Sequence, residues 1–305
     1  MVIAAKNSYF IKLGRAGNWA DDCINNSTLR LGFVNPYHDK CLKGDWDFIR
    51  EYWIEEGKSP SKATETTNQI RLFYESGEEV IWITFHNRKL YWCFSKKGIS
   101  VLEDGTRVRL AIKSWNCEDI AGNELTVESI SSILTKTQGF QGTICSVNAH
   151  DYLIRRINAQ VIPKVRIAQK TYEDFKNSLI PLIKLLTWQD FELLIDLIFS
   201  YAGWKRIEVL GKIQKSIDLD LMSPVSGKRA FVQVKSSSDL NEFLDYVEQF
   251  RSMKQYDEMY FIVHSPKASL LNYDGENREK LITVDRIAYL SINSGLADWI
   301  IKKSK

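Results

Sequence analysis

Two segments in the second half of the 305-residue sequence place acids, an amide and an ammonium group at the spacing of β-strands. Residues 217–221 read Ile-Asp-Leu-Asp-Leu. In a strand, Asp218 and Asp220 share one face because alternate side chains point to opposite sides. The second segment carries Gln233 and Lys235, which share a face by the same rule. A hairpin of the two strands can therefore gather a carboxylate, an amide oxygen and an ammonium on one patch.

This set of side chains suits hydrolysis of a phosphodiester with the help of a divalent metal ion. A hard cation such as Mg²⁺ takes oxygen ligands and keeps several waters. We expect the Asp218 carboxylate, the Gln233 amide oxygen and the Val234 carbonyl to supply these ligands, which also accept Mn²⁺. Lys235 can hold or deprotonate the attacking water, or stabilise the charge that develops on the phosphate. Glu192, on a predicted helix upstream, can reach the site through a bound water or a second ion.

The order of these pieces resembles the Mrr-like restriction endonucleases of the PD-(D/E)xK nuclease superfamily, over residues 170–305. In that branch a helix carrying Phe-Glu precedes a Gly-aromatic pair, a strand reading Ile-Asp-Leu and a strand reading Gln-x-Lys. This sequence has the four pieces at Phe191-Glu192, Gly203-Trp204, Ile217-Asp218-Leu219 and Gln233-Val234-Lys235. The resemblance implies Asp218, Gln233 and Lys235 as catalytic residues and Glu192 as the helical acid. It also implies an α/β domain with a restriction-endonuclease-like mixed sheet flanked by helices.

Departures from this pattern keep alternatives open. The approach to the Ile-Asp-Leu strand, at 211–216, is not the glycine-rich one that is usual in this branch. Asp220 is an additional acid that competes as metal ligand, and we favour Asp218 because it fills the Ile-Asp-Leu position. Gln233 in place of an acid removes one negative charge from the site. The alternative functions are therefore a catalytically silent nuclease fold that only binds nucleic acid, and a DNA repair or junction nuclease.

The first half of the sequence has a fainter resemblance to PUA-like domains, including the EVE and YTH groups. It rests on Gly77, the apolar strand 80–85, a turn, and the aromatic strand 90–94. Such domains hold a flipped, often modified base in an aromatic pocket by stacking and edge hydrogen bonds. The resemblance implies an N-terminal, mainly-β, PUA-like barrel, although a tryptophan in a small barrel is more often a core residue. The base-reading candidates are Trp19, Trp82, Trp92 and Phe94.

The elements that position these residues follow from hydrophobic periodicity and from capping residues. In the first half we predict strands at 8–13, 28–33, 80–85 and 89–94, and helices at 46–56, 62–73 and 126–134. In the second half we predict strands at 216–222, 229–235 and 259–264, and helices at 171–186, 187–202, 239–255 and 296–302. Thr187 is the predicted N-cap of its helix. Pro163 disfavours a helix across 158–165, so we divide the chain into a reading domain at 1–160 and a nuclease domain at 161–305.

The composition is that of an ordinary globular chain. The net charge is only +3, so bulk charge gives no reason to expect nucleic acid, and such binding must come from a site. No stretch reaches the roughly 18 apolar residues of a membrane span, and the first residues lack a secretory pattern. The five cysteines form no Cys-x-x-Cys pair, and Cys23, His38 and Cys41 match no common zinc spacing. We therefore expect a cytoplasmic protein with reduced thiols and no membrane partner.

The two resemblances together predict a metal-dependent DNA endonuclease whose cleavage depends on base modification. A reading domain joined to a nuclease domain is typical of type IV-like restriction in phage defence. The expected partner is double-stranded DNA, with a modified cytosine as the recognised base. Nucleases of this type commonly act as dimers because each site cuts one strand, so a homodimer is also expected.

Overall fold

The computed structural model describes residues 2–207, 217–271 and 278–305. The chain divides into two units, Met1–Val161 and Ile162–Lys305, which we call unit 1 and unit 2. Their boundary lies directly after the one predicted at residue 160. In the described ranges, no helix is both long enough and apolar enough to cross a membrane.

Unit 1 is organised around a curled, mixed β-sheet. Its strands are β1 (Asn7–Ile11), β2 (Thr28–Leu31), β3 (Val80–His86), β4 (Lys89–Val101), β5 (Arg107–Asn116) and β6 (Ile144–Ser146). They are ordered β2-β5-β4-β3-β1-β6, with β1 parallel to β3 and the other neighbours antiparallel. The β4–β5 pairing contains two register shifts, and irregularities of this kind bend a strand and increase its twist.

Helices accompany this sheet, so unit 1 is mixed α/β and the mainly-β expectation is wrong. They are α1 (Ala20–Asn25), α2 (His38–Lys43), α3 (Trp46–Glu55), α4 (Pro60–Glu75), α5 (Ser132–Thr135) and α6 (His150–Ile157), with 3₁₀ turns at Arg15–Gly17 and Lys136–Gly139. The predicted helix at 126–134 is wrong over most of its length. The amide and the hydroxyl of Ser129 both donate to the Thr126 carbonyl, at 3.0 and 2.9 Å, and this local turn competes with a helix.

Two arginines lie inside unit 1 on strand β5. Arg109 is fully buried and donates to the main-chain carbonyls of Phe73 and Ser76, at 2.8 Å each, and of Lys96 at 2.9 Å. Burial lowers the pKa of Arg109 to about 10. Arg107 is also buried and donates to the Gly105 carbonyl at 2.5 Å. Arg109 therefore ties the end of α4 to the sheet through carbonyls that need a donor.

Unit 2 is a mixed sheet flanked by helices, as expected at this coarse level. Its strands are β7 (Lys205–Arg206), β8 (Leu219–Met222), β9 (Arg229–Ser238), β10 (Glu258–Pro266) and β11 (Glu279–Thr283). The sheet order is β11-β10-β9-β8-β7, antiparallel from β7 to β9 and parallel from β9 to β11. The helices are α7 (Pro163–Leu185), α8 (Trp188–Tyr201), α9 (Leu240–Ser252), α10 (Ala268–Leu271), α11 (Val284–Asn293) and α12 (Ala297–Lys303).

The central strand β9 is covered on both faces. Val232 packs with Leu219 of β8 and with residues of α7, α8, α11 and α12 in one apolar cluster. Phe231 points the other way and packs with Phe243 of α9 and Phe261 of β10. Parallel strands flanked by helices bury both faces in this way. The polar residues Gln233 and Lys235 follow directly after this apolar pair on β9.

The first residues of α7 and α8 show how a proline and a capping threonine determine where a helix begins. α7 begins at Pro163, well before the predicted start at residue 171, because a proline at the first helical position loses no hydrogen bond. The segment 158–165 is therefore not a linker throughout. The Thr187 N-cap is confirmed, since its hydroxyl accepts from the Asp190 amide at 3.2 Å at the start of α8.

Candidate active site of unit 2

The site centres on Asp218, which directly precedes β8. Its Oδ2 atom accepts from the Gln233 side-chain Nε2 at 2.6 Å and from the Val234 amide at 2.7 Å. The antiparallel register pairs Leu219 with Val232, and this sets Asp218 beside Gln233 on the neighbouring strand. The structure therefore brings together the three residues that the sequence nominates as metal ligands.

Side-chain alternation along β9 agrees with the sequence-based prediction. Gln233 follows Phe231 on the face covered by α9, whereas Val234 packs with the cluster on the opposite face. One detail on the facing strand is wrong. Ile217 packs with the α9-side cluster rather than with Leu219 across the sheet, because Asp218 lies in a bend and regular alternation starts only at β8.

The charges around Asp218 interact with one another. Burial raises the pKa of Asp218 above its usual range, and the Val234 amide and the Lys235 charge offset only part of this rise. Burial also raises the pKa of Glu192, and the negative charge of Asp218 adds to the increase. Asp218 therefore interacts electrostatically with Glu192 on one side and with Lys235 on the other. Carboxylates destabilised in this way favour a bound cation.

The second acid, Asp220, is already engaged by another residue. Arg229 Nε donates to Asp220 Oδ1 at 2.8 Å, and a second guanidinium nitrogen bonds to the other oxygen. The Arg229 guanidinium also lies over the Tyr256 ring, 5.0 Å from its centroid. This bidentate pair satisfies Asp220, so the geometry favours Asp218 as the metal ligand.

The residues present fit a hard divalent cation. Gln233 is buried, and its Oε1 atom has no hydrogen-bond partner in the described ranges. A buried acceptor without a partner is rare, and here its amide nitrogen is bonded to the Asp218 carboxylate. No group of three or more His, Cys, Asp or Glu residues that could hold a metal occurs among the described residues. The predicted ligand set is of another kind, because it would combine the Asp218 carboxylate with the Gln233 amide oxygen and the Val234 carbonyl.

Arg206 is a cation at this site that the sequence-based prediction missed. Its guanidinium lies 3.9 Å from Glu192 and 3.9 Å from Asp196 on α8, and it donates to the Asp218 carbonyl at 3.3 Å. The arginine and both acids line a surface depression together with Trp188. In the sequence, the adjacent basic residues Lys205 and Arg206, directly after the Gly-aromatic pair, could have indicated a cation at this site.

The aromatic candidates of unit 1 do not converge on one pocket. Trp82 is fully buried, and the β3–β4 register places it beside Cys93, whereas Trp92 lies beside Ile83 on the opposite face of the sheet. Phe94 shares the Trp92 face, with ring centroids 6.4 Å apart. Trp82 therefore has a core position, and a shared cage of Trp82 and Trp92 would need the two faces of one sheet.

Trp19 has a different environment. It is half-buried, packs on the Trp82 side of the sheet, and stacks under the Arg30 guanidinium at 4.3 Å from its ring centroid. The zinc pattern of Cys23, His38 and Cys41 gains no support in the same region. Burial raises the pKa of both thiols, and the His38 imidazole bonds to the Tyr74 hydroxyl at 2.8 Å.

Replacing Asp218 by asparagine should stabilise unit 2 when no divalent metal is present. Because the pKa of Asp218 is raised, its charge costs stability above the folded-state pKa, and the cost disappears as the pH falls toward the unfolded-state value. Asparagine keeps an acceptor for both donors, and we expect a gain of about 0.5–2 kcal/mol at pH 8 in EDTA. Hydrogen exchange of peptides from β8 and β9 measures this gain in stability. The Asp245→Asn control on the exposed side of α9 should show no gain, and equal values for both variants would contradict the prediction.

Comparison of this chain with known protein families, with curated proteins and with solved structures found no significant match. The functional assignment of the site therefore rests on the geometry and the chemistry of its residues.

Proposed function

We propose that unit 2 is a divalent-metal-dependent endodeoxyribonuclease. The observation that carries the proposal is the direct contact of Asp218 with Gln233 and Val234, beside a buried amide oxygen that has no partner in the described part of the chain. Lys235 follows two residues after Gln233, and its charge acts on Asp218. Oxygen ligands next to a cationic side chain suit metal-assisted hydrolysis of a phosphodiester.

Each residue has a distinct part in this mechanism. Asp218 and Gln233 would hold the metal through their side-chain oxygens, with the Val234 carbonyl as third protein ligand. A metal bound there would polarise a phosphate oxygen of the DNA and lower the pKa of a bound water. The Lys235 ammonium stabilises the negative charge that develops on the phosphate, or orients the attacking water. Glu192, whose pKa is raised by burial, would be suited to take up a proton from the attacking water.

We also propose that unit 1 reads a modified cytosine in double-stranded DNA, so that cleavage serves defence against phage in the cytoplasm. Support comes from Trp19, which is half-buried and stacked under a guanidinium, an arrangement that can also accept a base. Phe94 is likewise half-buried and remains a second contact candidate. Since one site cuts one strand, double-strand cleavage calls for two copies of the chain.

A second candidate function is binding of nucleic acid by a catalytically silent site. The observation that favours it is the neutral Gln233, which leaves Asp218 as the one carboxylate bonded within the proposed ligand set. A lower negative charge weakens divalent-metal binding. A third candidate, repair or junction cleavage, shares the site chemistry and differs only in the DNA structure recognised.

Cleavage of a panel of DNA substrates tests these functions together. The panel contains duplexes with methylated, hydroxymethylated or glucosylated cytosine, unmodified duplex and a branched junction, each with Mg²⁺, Mn²⁺ or EDTA. We expect metal-dependent cutting of one modified duplex. Equal cutting of all duplexes would refute the reading role of unit 1. Preference for the junction would favour the repair function, and binding without cleavage by folded protein would favour the silent site.

A further inference from the structure

The Lys235 ammonium is held by a residue of α9. Lys235 Nζ lies 2.9 Å from Glu242 Oε1 and sits over the Tyr246 ring, 5.1 Å from its centroid. Glu242 and Tyr246 are four residues apart, so they occupy one face of the helix, one turn from each other. The lysine side chain therefore lies in a clamp with a carboxylate on one side and an aromatic ring on the other.

Glu242 is itself fixed in place. Its second oxygen, Oε2, accepts from the Ser238 hydroxyl at 2.8 Å, and Ser238 belongs to the same strand as Lys235. The Glu242 amide donates to Asp239 Oδ1 at 3.1 Å in the N-cap of α9. Asp239 is anchored in turn by Lys267 at 2.9 Å. Both carboxylate oxygens and the main chain of Glu242 are thus engaged, and its geometry is set by several bonds.

We propose that Glu242 is a positioning residue that holds the Lys235 ammonium at the Asp218–Gln233 site, an inference that rests on the proposed nuclease function. Lysine has a flexible four-carbon stem, and fixing its ammonium by an ion pair with Glu242 removes alternative rotamers before the reaction begins. The ionisable groups facing Lys235 are Glu242 and Tyr246 from α9 and Asp218 before β8. If Glu242 instead withdrew Lys235 from the reaction, removing it would increase the rate.

The cleavage rate of Glu242→Ala distinguishes positioning of Lys235 from its withdrawal, because the rate falls in the first case and rises in the second. We expect kcat to fall by about 10- to 100-fold, as for misplacement of a reacting group, with KM within about twofold of wild type. Glu242→Gln should recover part of kcat, because the amide oxygen still accepts from the ammonium. The matched control is Glu248→Ala, on an exposed position of the same helix, which should behave as wild type. An unchanged or increased kcat in Glu242→Ala would overturn the proposal.

Two further measurements separate this inference from the proposed function. If Lys235→Ala cleaves as well as wild type, the proposed nuclease mechanism is wrong, and Glu242 then has no positioning role in it. If Lys235→Ala is inactive but Glu242→Ala is not impaired, only the positioning role is wrong. NMR relaxation of the labelled Lys235 side chain measures how firmly the ammonium is held, and this measurement does not depend on DNA cleavage. In Glu242→Ala its order parameter should fall below about 0.6, the range of flexible groups, and an unchanged value would contradict the inference.

Discussion

Replacing Lys235 by alanine should lower the rate of DNA cleavage by about 100- to 1,000-fold, the cost of removing one preorganised group that stabilises developing charge. The side chain is half-buried, it is held by Glu242, and its charge already acts on the Asp218 carboxylate. Removal leaves the proposed metal ligands in place, so affinity for DNA should change little in comparison. Single-turnover cleavage at saturating enzyme measures the chemical step, and binding to the same duplex in Ca²⁺ measures affinity.

The matched control for this prediction is Lys254→Ala, which removes an exposed lysine of unit 2. Both variants lose one positive charge, so a general electrostatic effect on DNA binding would appear in both. Only a group at the reacting phosphate produces a large loss of rate in one of them. Equal rates for Lys235→Ala and Lys254→Ala would show that Lys235 takes no part in the reaction.

Replacing Arg109 by methionine should destabilise unit 1 by about 3–5 kcal/mol. The guanidinium is fully buried and satisfies the carbonyls of Phe73, Ser76 and Lys96. Methionine fills similar space but donates no hydrogen bond, so the two buried carbonyls of Phe73 and Ser76 lose their partner at about 1–3 kcal/mol each, and the part-buried Lys96 carbonyl loses one as well. Urea unfolding combined with hydrogen exchange of β5 peptides measures the change.

Arg71→Met is the matched control, because Arg71 lies on the exposed side of α4 and pairs with Glu75 at 2.8 Å. An exposed pair four residues apart on a helix contributes about 0.3–0.5 kcal/mol, so this variant should unfold close to wild type. A loss below about 1 kcal/mol in Arg109→Met would mean that water replaces the guanidinium at the three carbonyls.

Features set by neighbours in the sequence could be predicted from the sequence. The hairpin of β3 and β4 is an example, since a two-residue turn at Asn87 and Arg88, both with positive φ, matches the twist of the strands. The same holds for the Thr187 N-cap and for the shared face of Gln233 and Lys235. Each depends on the alternation of side chains along a strand or on one hydrogen bond within a turn. Such patterns can be predicted without knowledge of the tertiary structure.

Features set by distant elements were not predicted. Asp220 is engaged by Arg229, whereas Asp218 bonds to Gln233 and Val234. The two neighbouring acids therefore differ in their partners, and these partners lie on another strand. Trp82 and Trp92 lie on opposite faces because strand register, not proximity in sequence, decides which face a residue occupies. Arginine is usually exposed, whereas Arg109 lies in the core, and only the carbonyls around its guanidinium explain that placement.

The spacing of the site residues along the chain also bears on how the site assembles. Asp218 and Gln233 are 15 residues apart and belong to adjacent antiparallel segments, whereas the neighbouring β9–β10 pairing is parallel and requires a crossover through α9. The entropy lost on closing a loop grows with the logarithm of its length. The chain therefore brings the Asp218 carboxylate and the Gln233 amide together by closing a short loop, and this pair can form before the parallel half of the sheet.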